Sequence, residues 1–188
     1  MTSQFNHTSG QLLIVSAPSG AGKTSLINAL LEADNRVEVS VSYTTRPMRH
    51  GEVDGVNYHF ITRETFIAKK NQGNFFEWAE VFGHFYGTGI EEIETRLARG
   101  AEVILEIDWQ GAQQVRQQRP DSVWIFIVPP AVNELKERLQ TRGQDGQKTI
   151  DSRMGAARDE ISHWEEADYL IVNEQFDEAL ENLVSIVK

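Results

Sequence analysis

The chain has 188 residues and a formal net charge of −10, with 18 basic and 28 acidic side chains. This length predicts one domain, and a composition that is 40% hydrophobic and 24% charged is typical of globular proteins. The acidity argues against broad binding to nucleic acid or to an anionic membrane surface, because both depend on a basic protein surface. Zero cysteines exclude disulfides and thiolate metal sites. Together with an N-terminus that lacks a signal-peptide pattern, this predicts a cytoplasmic protein.

Short apolar runs alternate with stretches of helical periodicity along the chain. Strands are predicted at residues 12–16, 37–41, 102–107, 123–128 and 169–172. Helices are predicted at residues 24–33, 132–139, 150–166 and 176–187. Because this alternation favours a mainly parallel sheet, we expect an α/β fold with helices on both faces. Residues 42–99, rich in Tyr, Phe, Thr and Gly, predict an inserted α+β lobe, and residues 141–148 predict a polar surface loop.

The strongest local signal follows the first predicted strand and begins the first predicted helix. It is the run Ala17-Pro18-Ser19-Gly20-Ala21-Gly22-Lys23-Thr24. In this context a P-loop directs backbone N–H groups and a helix N-terminus at bound phosphate. Lys23 would reach the β- and γ-phosphates of a nucleoside triphosphate, and the Thr24 hydroxyl would coordinate Mg²⁺. The pattern asks for glycine at its first position, where Ala17 stands. The motif predicts a site for the phosphates of a nucleoside triphosphate.

Two further runs combine arginine, tyrosine, hydroxyl and carboxylate side chains. The first, SYTTRPMRHGEVDGVNY from Ser42 to Tyr58, holds Arg46 and Arg49 on either side of a proline. Guanidinium groups match phosphate geometry, and tyrosine hydroxyls add neutral donors. The second, FEWAEVFGHFYGT over residues 76–88, places a glutamate among aromatic residues. By themselves, the two arginines of the first run are typical of solvated side chains in a loop. The second run, by itself, is typical of a half-buried strand with its polar face outward.

These runs, the loop APSGAGKT and the strand EVILEIDWQGAQQVR occur in an order and at a spacing that resemble guanylate kinase. The resemblance extends from residue 12 to residue 188, and that family accepts alanine at the first P-loop position. It implies a single domain with three parts: a P-loop NTPase core (11–41, 100–136 and 155–188), an NMP-binding lobe (42–99) and a small lid (137–154). It also implies phosphoryl transfer from MgATP to GMP or dGMP, giving ADP and GDP or dGDP.

The resemblance assigns the GMP site to polar residues of the lobe. Guanine presents a carbonyl acceptor beside two donor groups, so a selective pocket needs a carboxylate and a hydroxyl donor. The implied carboxylate is Glu77, with hydroxyl groups from Ser42 and Thr88. The implied ligands of the GMP phosphate are Arg46, Arg49, Tyr58 and Tyr86. Because adenine reverses the hydrogen-bonding pattern, such a site favours GMP over AMP.

Two acids, Glu106 and Asp108, end a predicted strand. Alternation along that strand places both on one side, at the carboxyl edge where α/β sheets bind ligands. They would hold Mg²⁺-bound water or meet the guanine amino group, and we favour Asp108 for the substrate contact. The family usually carries aspartate where Glu106 stands. The lid arginines that the resemblance assigns to charge neutralisation on the transferred phosphoryl group, beside Lys23, are Arg138, Arg142 and Arg153.

Two other functions use the same scaffold: a kinase for a phosphorylated sugar, and a non-catalytic binding module. The guanine-binding set argues against the first, and the intact Gly22-Lys23-Thr24 with its lid arginines argues against the second. ATP and GMP are the expected partners, Mg²⁺ is the expected cofactor, and no oligomeric state is predicted. Residues 159–188 account for −8 of the net charge. We therefore expect anionic substrates to be held by individually placed cations.

Overall fold

The first predicted strand lies in the middle of a parallel sheet. In the computed structural model, which describes residues 10–131, 133–135 and 147–187, this strand is β1 (Leu12–Ser16), and all five residues are buried. The described strands of this sheet follow the order β2-β7-β1-β8-β9, and every pairing is parallel. The other four are β2 (Val37–Val39), β7 (Glu102–Glu106), β8 (Val123–Val128) and β9 (Tyr169–Val172).

Successive residues of a strand point to opposite sides of the sheet, so the apolar strands present side chains to both faces. Helices pack on both of these faces. Leu13 and Val15 of β1 contact the core that includes α1 (Lys23–Ala33) and α6 (Phe176–Val187). Leu12 and Ile14 contact the opposite core, formed with α3 (Ile90–Ala98) and α4 (Trp109–Gln118). The predicted α/β class is therefore confirmed. Among the described helices, none is both long and apolar enough to cross a membrane.

A second, smaller sheet occupies the segment predicted as an inserted α+β lobe. Its strand order is β4-β3-β6-β5, with β6 antiparallel to both neighbours. The core of this lobe is aromatic: the ring of Phe66 stacks on those of Phe75 and Phe85, with centroids 4.5 and 5.2 Å apart. The elements are β3 (Tyr43–Thr44), β4 (His59–Phe60), α2 (Arg63–Asn71), β5 (Phe75–Val81) and β6 (His84–Gly89).

Several element ends differ from the predictions. β2 ends at Val39, two residues before its predicted end. β7 ends at Glu106, one residue before its predicted end, because the chain then turns into α4. The long helix predicted to reach residue 166 is α5 (Gln147–Ser162), followed by a separate 3₁₀ turn (Trp164–Glu166). The helix predicted at 132–139 and the loop at 141–148 lie largely outside the described residues.

The β5–β6 hairpin turns at Phe82, whose left-handed backbone conformation is energetically unfavourable for this residue. Phe82 and Gly83 have φ of 51° and 78°, and Val81 pairs with His84, so the loop has two residues, both left-handed. This is the requirement of a type I′ turn, which favours Asn-Gly. The Phe82 side chain is 99% exposed, so packing does not offset the backbone cost.

We expect Phe82→Asn to raise the free energy of unfolding by about 1 kcal/mol, because asparagine tolerates the left-handed region. Urea denaturation at constant pH measures the change. Phe82→Ala is the matched control, since it removes the ring and keeps the unfavourable conformation. An equal gain in both variants would assign the cost to the exposed ring and contradict the backbone explanation.

Candidate active site

The glycine-rich loop joins β1 to α1 and encloses a cavity of about 310 Å³. Gly20 and Gly22 have φ of 94° and 93°, which glycine adopts without a steric penalty. A β-carbon at Gly22 would lie 2.3 Å from Nδ2 of Asn173, so this position also excludes a side chain. Ala17 is not among the residues with positive φ, so the departure from the P-loop pattern there causes no such strain.

Lys23 and Thr24, at the start of α1, contact Glu106 at the end of β7. The Thr24 hydroxyl donates to Glu106 Oε1 at 2.6 Å, and Lys23 Nζ lies 3.9 Å from the same oxygen. Lys23 Nζ also donates to the carbonyl of Ile107 at 3.4 Å. Desolvation lowers the pKa of Lys23, and the carboxylates of Glu106, Asp108 and Glu160 oppose that shift. The P-loop lysine is therefore held at the carboxyl end of the neighbouring strand.

A second cavity, of about 360 Å³, is bordered by both sheets and includes Glu106 in its lining. Glu77 of β5 is buried there, 8% exposed, and its Oε1 accepts a 2.5 Å hydrogen bond from the Thr88 hydroxyl. Thr88 Oγ1 lies 3.4 Å from Ser42 Oγ. The structure thus brings together the carboxylate and the two hydroxyl groups predicted for a guanine site. Burial raises the pKa of Glu77 to about 7; hydrogen bonds from Thr88 oppose the rise, and the charge of Asp108 adds to it.

Asp108 lines the same cavity, but the strand argument used to place it is wrong. β7 has ended at Glu106, and Asp108 is the N-cap of α4, where its Oδ1 accepts the N–H of Gly111 at 2.8 Å. Glu77, Glu106 and Asp108 nevertheless face one cavity. No side chain among the described lining residues carries a positive charge.

The segment that contains Arg46 and Arg49 is held by hydrogen bonds to Glu52, unlike a solvated loop. Arg46 donates to both carboxylate oxygens of Glu52, at 2.7 and 3.0 Å, and its side chain is only 10% exposed. Arg49 is exposed, and its backbone N–H donates to Glu52 at 2.6 Å. These bonds hold the pKa of Glu52 down to about 2, with Arg46 the main cause. The solvated alternative is therefore wrong for Arg46, and Glu52 is a partner that the sequence analysis missed.

The two predicted tyrosines accompany Arg46. The rings of Tyr58 and Tyr86 lie 5.9 Å apart, edge to face, and both line the second cavity. The Arg46 guanidinium lies 5.5 Å from the Tyr58 ring centre. Glu52 is the main cause of the raised pKa of Arg46, and the Tyr86 side chain adds to it. A guanidinium and two phenol groups thus converge at one side of the cavity that contains Glu77.

Two further residues beside the P-loop were not predicted. Glu160 of α5 lines the P-loop cavity, and one of its two carboxylate oxygens, Oε2, is buried without a hydrogen-bond partner among the described residues. Burial raises the pKa of Glu160, and a hydrogen bond from the Ser19 backbone opposes that rise. Asn173, immediately after β9, is buried and donates from Nδ2 to the Ala21 carbonyl at 2.7 Å. A polar residue directly after a strand, at the edge where the P-loop begins, is the signal that could have found Asn173.

The side chains of the predicted lid arginines lie outside the described residues. Arg138 and Arg142 lie outside the described residues, and Arg153 lies on α5 at a position where only the backbone is described. Their roles stay predictions. The described part of the chain contains no group of three or more His, Asp, Glu or Cys that could hold a metal ion.

Comparison with known proteins gives consistent matches over nearly the whole chain. The family model described as guanylate kinase matches residues 9–188. Guanylate kinases of Hahella chejuensis and Vibrio cholerae are 57% and 55% identical to this chain, over 95% of it and 86% and 87% of those proteins.

Solved structures agree with these sequence matches. A crystal structure of guanylate kinase from Anaplasma phagocytophilum matches with a TM-score of 0.74 and 38% identity, covering 96% of this chain and 85% of that one. A shikimate kinase structure from Bacteroides thetaiotaomicron, with a TM-score of 0.51 and 13% identity over 94% of this chain and 98% of that one, shares the fold alone. The chain therefore belongs to the guanylate kinase family, the ATP:GMP phosphotransferases with a P-loop α/β fold.

Proposed function

We propose that this chain transfers the γ-phosphoryl group of ATP to GMP or dGMP across its two adjacent cavities. The observation that carries the proposal is the position of Lys23. It lines the P-loop cavity, while its ammonium group lies 3.9 Å from Glu106, which lines the second cavity. The P-loop offers backbone N–H groups to a triphosphate, and the second cavity offers hydroxyl and carboxylate groups to a guanine base. The γ-phosphate of ATP and the phosphate of GMP would then meet beside Lys23.

The GMP site is assigned by the chemistry of its side chains. Ionised Glu77 would accept from the guanine donors, Ser42 and Thr88 would serve the carbonyl oxygen, and Asp108 would meet the amino group. The GMP phosphate would be bound by Arg46, Arg49, Tyr58 and Tyr86. The bidentate contact of Arg46 with Glu52 supports this assignment, because it orients a guanidinium beside the second cavity before any substrate enters.

Catalysis in this site would depend on position and charge, since a phosphate oxygen of GMP is already ionised at neutral pH. Lys23 would neutralise charge on the transferred group, together with Arg138, Arg142 and Arg153 of the lid. Thr24 would hold Mg²⁺ directly, with Glu106 and Asp108 acting through water. The 2.6 Å contact of the Thr24 hydroxyl with Glu106 supports this, because Mg²⁺ prefers oxygen ligands and few protein ones. When bound, Mg²⁺ supplies positive charge to the β- and γ-phosphates.

The three parts of the chain would have separate tasks. We assign ATP binding to the core (11–41, 100–136 and 155–188), GMP binding to the lobe (42–99) and closure over ATP to the lid (137–154). Enclosing both substrates would exclude water, which otherwise competes as phosphoryl acceptor.

An assay with four acceptors at pH 8 separates this function from its alternatives. We expect turnover of ATP with GMP and dGMP, and far less with AMP or UMP, because the carboxylate faces the guanine donors. A sugar-phosphate kinase or a non-catalytic module would give no turnover with GMP, and that result would overturn the proposal.

Lys23→Ala should lower kcat for GMP phosphorylation by at least about 10²-fold, since it removes a charge from the transferred phosphoryl group. The dissociation constant for GMP, measured by calorimetry, should change little, because the GMP contacts lie in the second cavity. Lys69→Ala, which changes a lysine of α2 outside both cavities, is the matched control. Near-wild-type turnover in Lys23→Ala would contradict the P-loop assignment.

Asn173→Ala should destabilise the P-loop and leave the GMP site unchanged, because it removes the hydrogen bond that holds the Ala21 carbonyl. We expect the free energy of unfolding to fall by about 1–3 kcal/mol and KM for ATP to rise by about tenfold. The affinity for GMP should be retained. Asn182→Ala, on an exposed position of α6, is the control. If both variants have the wild-type KM for ATP, Asn173 has no part in positioning the loop.

A further inference from the structure

In the second cavity, the ionised and neutral forms of the Glu77 side chain are close in free energy near pH 7. The carboxyl group is buried, with the Thr88 hydroxyl as its hydrogen-bond donor from β6. The groups that face it across the cavity are acids and phenols: Asp108 from the start of α4, Glu106 from the end of β7, and Tyr58 and Tyr86 from the lobe. Since no described lining side chain is cationic, removal of water favours the proton, and the pKa of Glu77 rises to about 7.

The two forms of this carboxyl group offer different hydrogen bonds to a base. An ionised carboxylate only accepts, whereas a neutral carboxyl group also has one O–H donor. Guanine presents N–H donors at N1 and at its 2-amino group, which suit the ionised form. Adenine presents an acceptor at N1, which suits the neutral form. A buried polar group that faces a group of the wrong kind is left unpaired, and this mismatch is the basis of strong discrimination between analogues.

We propose that the proton on Glu77 selects the purine, so that the ionised form takes GMP and the neutral form admits AMP as a second phosphoryl acceptor. With AMP, the γ-phosphoryl group leaves ATP and bonds to a phosphate oxygen of AMP, giving two molecules of ADP. This inference rests on the proposed function, in which Glu77 contacts the base. It adds that the selectivity of the enzyme depends on pH.

The test is the ratio of kcat/KM for GMP to kcat/KM for AMP between pH 6 and pH 8. Ionisation of Lys23, of the ATP phosphates and of the acceptor phosphate affects both substrates alike and cancels in the ratio. The ratio of ionised to neutral Glu77 changes tenfold per pH unit, so we expect the measured ratio to rise about tenfold per unit. A ratio that stays flat over this range would overturn the proposal. The Lys23→Ala protein, purified in parallel, reports contaminating activity toward AMP.

Glu77→Gln converts the side chain to a permanent donor and acceptor of the same shape. Its ratio should no longer change with pH and should lie at least about tenfold below the wild-type ratio at pH 8. Glu80→Gln is the matched control, because Glu80 lies on the same strand with an exposed side chain paired to Arg63. It should keep the wild-type pH dependence. If Glu77→Gln retains the full dependence, another group carries the proton and the proposal is wrong.

A measurement on the wild-type enzyme makes the test independent of whether Glu77→Gln folds. Calorimetry in buffers of different ionisation enthalpy gives the protons released when GMP or AMP binds. At a common pH near 6.5, GMP binding should release about one proton more than AMP binding, because one base needs the anion and the other the neutral group. Equal values would overturn the proposal. GMP turnover at pH 8 with a flat ratio would refute this inference alone, whereas no GMP turnover at pH 8 would refute the proposed function.

Discussion

The contact of Glu106 with Lys23 and Thr24 is the interaction on which the rest of the site depends. It joins two segments of the chain that are more than eighty residues apart, and it exists because β1 and β7 are neighbours in the sheet. Val15 pairs with Glu106 in register, so the last residue of β7 lies level with the start of the P-loop. Parallel strands end at one edge, and at this edge the order of the strands alone places a carboxylate beside the phosphate loop.

The second cavity needs a further connection, because Glu77 belongs to the lobe and Asp108 to the core. Two glutamines of α4 provide it, one helical turn apart. Gln114 exchanges hydrogen bonds with the backbone N–H and carbonyl of Trp78, and Gln118 donates to the carbonyl of Phe76 at 2.7 Å. The strand that carries Glu77 is thus fastened to the helix that Asp108 caps. The second cavity is consequently fixed by hydrogen bonds between glutamine side chains and the main chain, as well as by packing.

The sequence predicts best what depends on local patterns. The buried run Leu12–Ser16 and the glycine-rich turn after it specify β1 and the P-loop, because hydrophobic burial and left-handed backbone leave few alternatives. Contacts set by the tertiary fold were not predictable: the Asn173 bond to the P-loop joins residues that are 152 positions apart. Asp108 shows the same limit, since a rule for strands was applied to a residue that caps a helix.

Ser42, Glu77 and Thr88 were assigned to one site by resemblance to a family, and their proximity depends on strand pairing within the lobe. Thr88 lies opposite Glu77 in the β5–β6 register, which explains how residues eleven positions apart share a hydrogen bond. Periodicity alone predicted a half-buried strand there and gave no reason to bury a carboxylate. The burial is unfavourable for folding, and the proposed recognition of the guanine hydrogen-bond donors gives it a purpose.

Charge is segregated around the second cavity, and in the proposed function this segregation would orient the acceptor nucleotide. Lys23 and Arg46 lie at the margins of the second cavity, beside Glu106 and Tyr58 respectively, and the described lining contains three carboxyl groups and no cation. A phosphate placed among these three acids would be repelled by their charge, whereas the side of the cavity at Tyr58 and Tyr86 offers hydroxyl donors, so the nucleotide is expected to bind in one direction. The acidity of the chain, most of it in residues 159–188, therefore does not prevent binding of anionic substrates. In the proposed function, local cations would attract the phosphate groups, and local acids would exclude them from the place that the base would occupy.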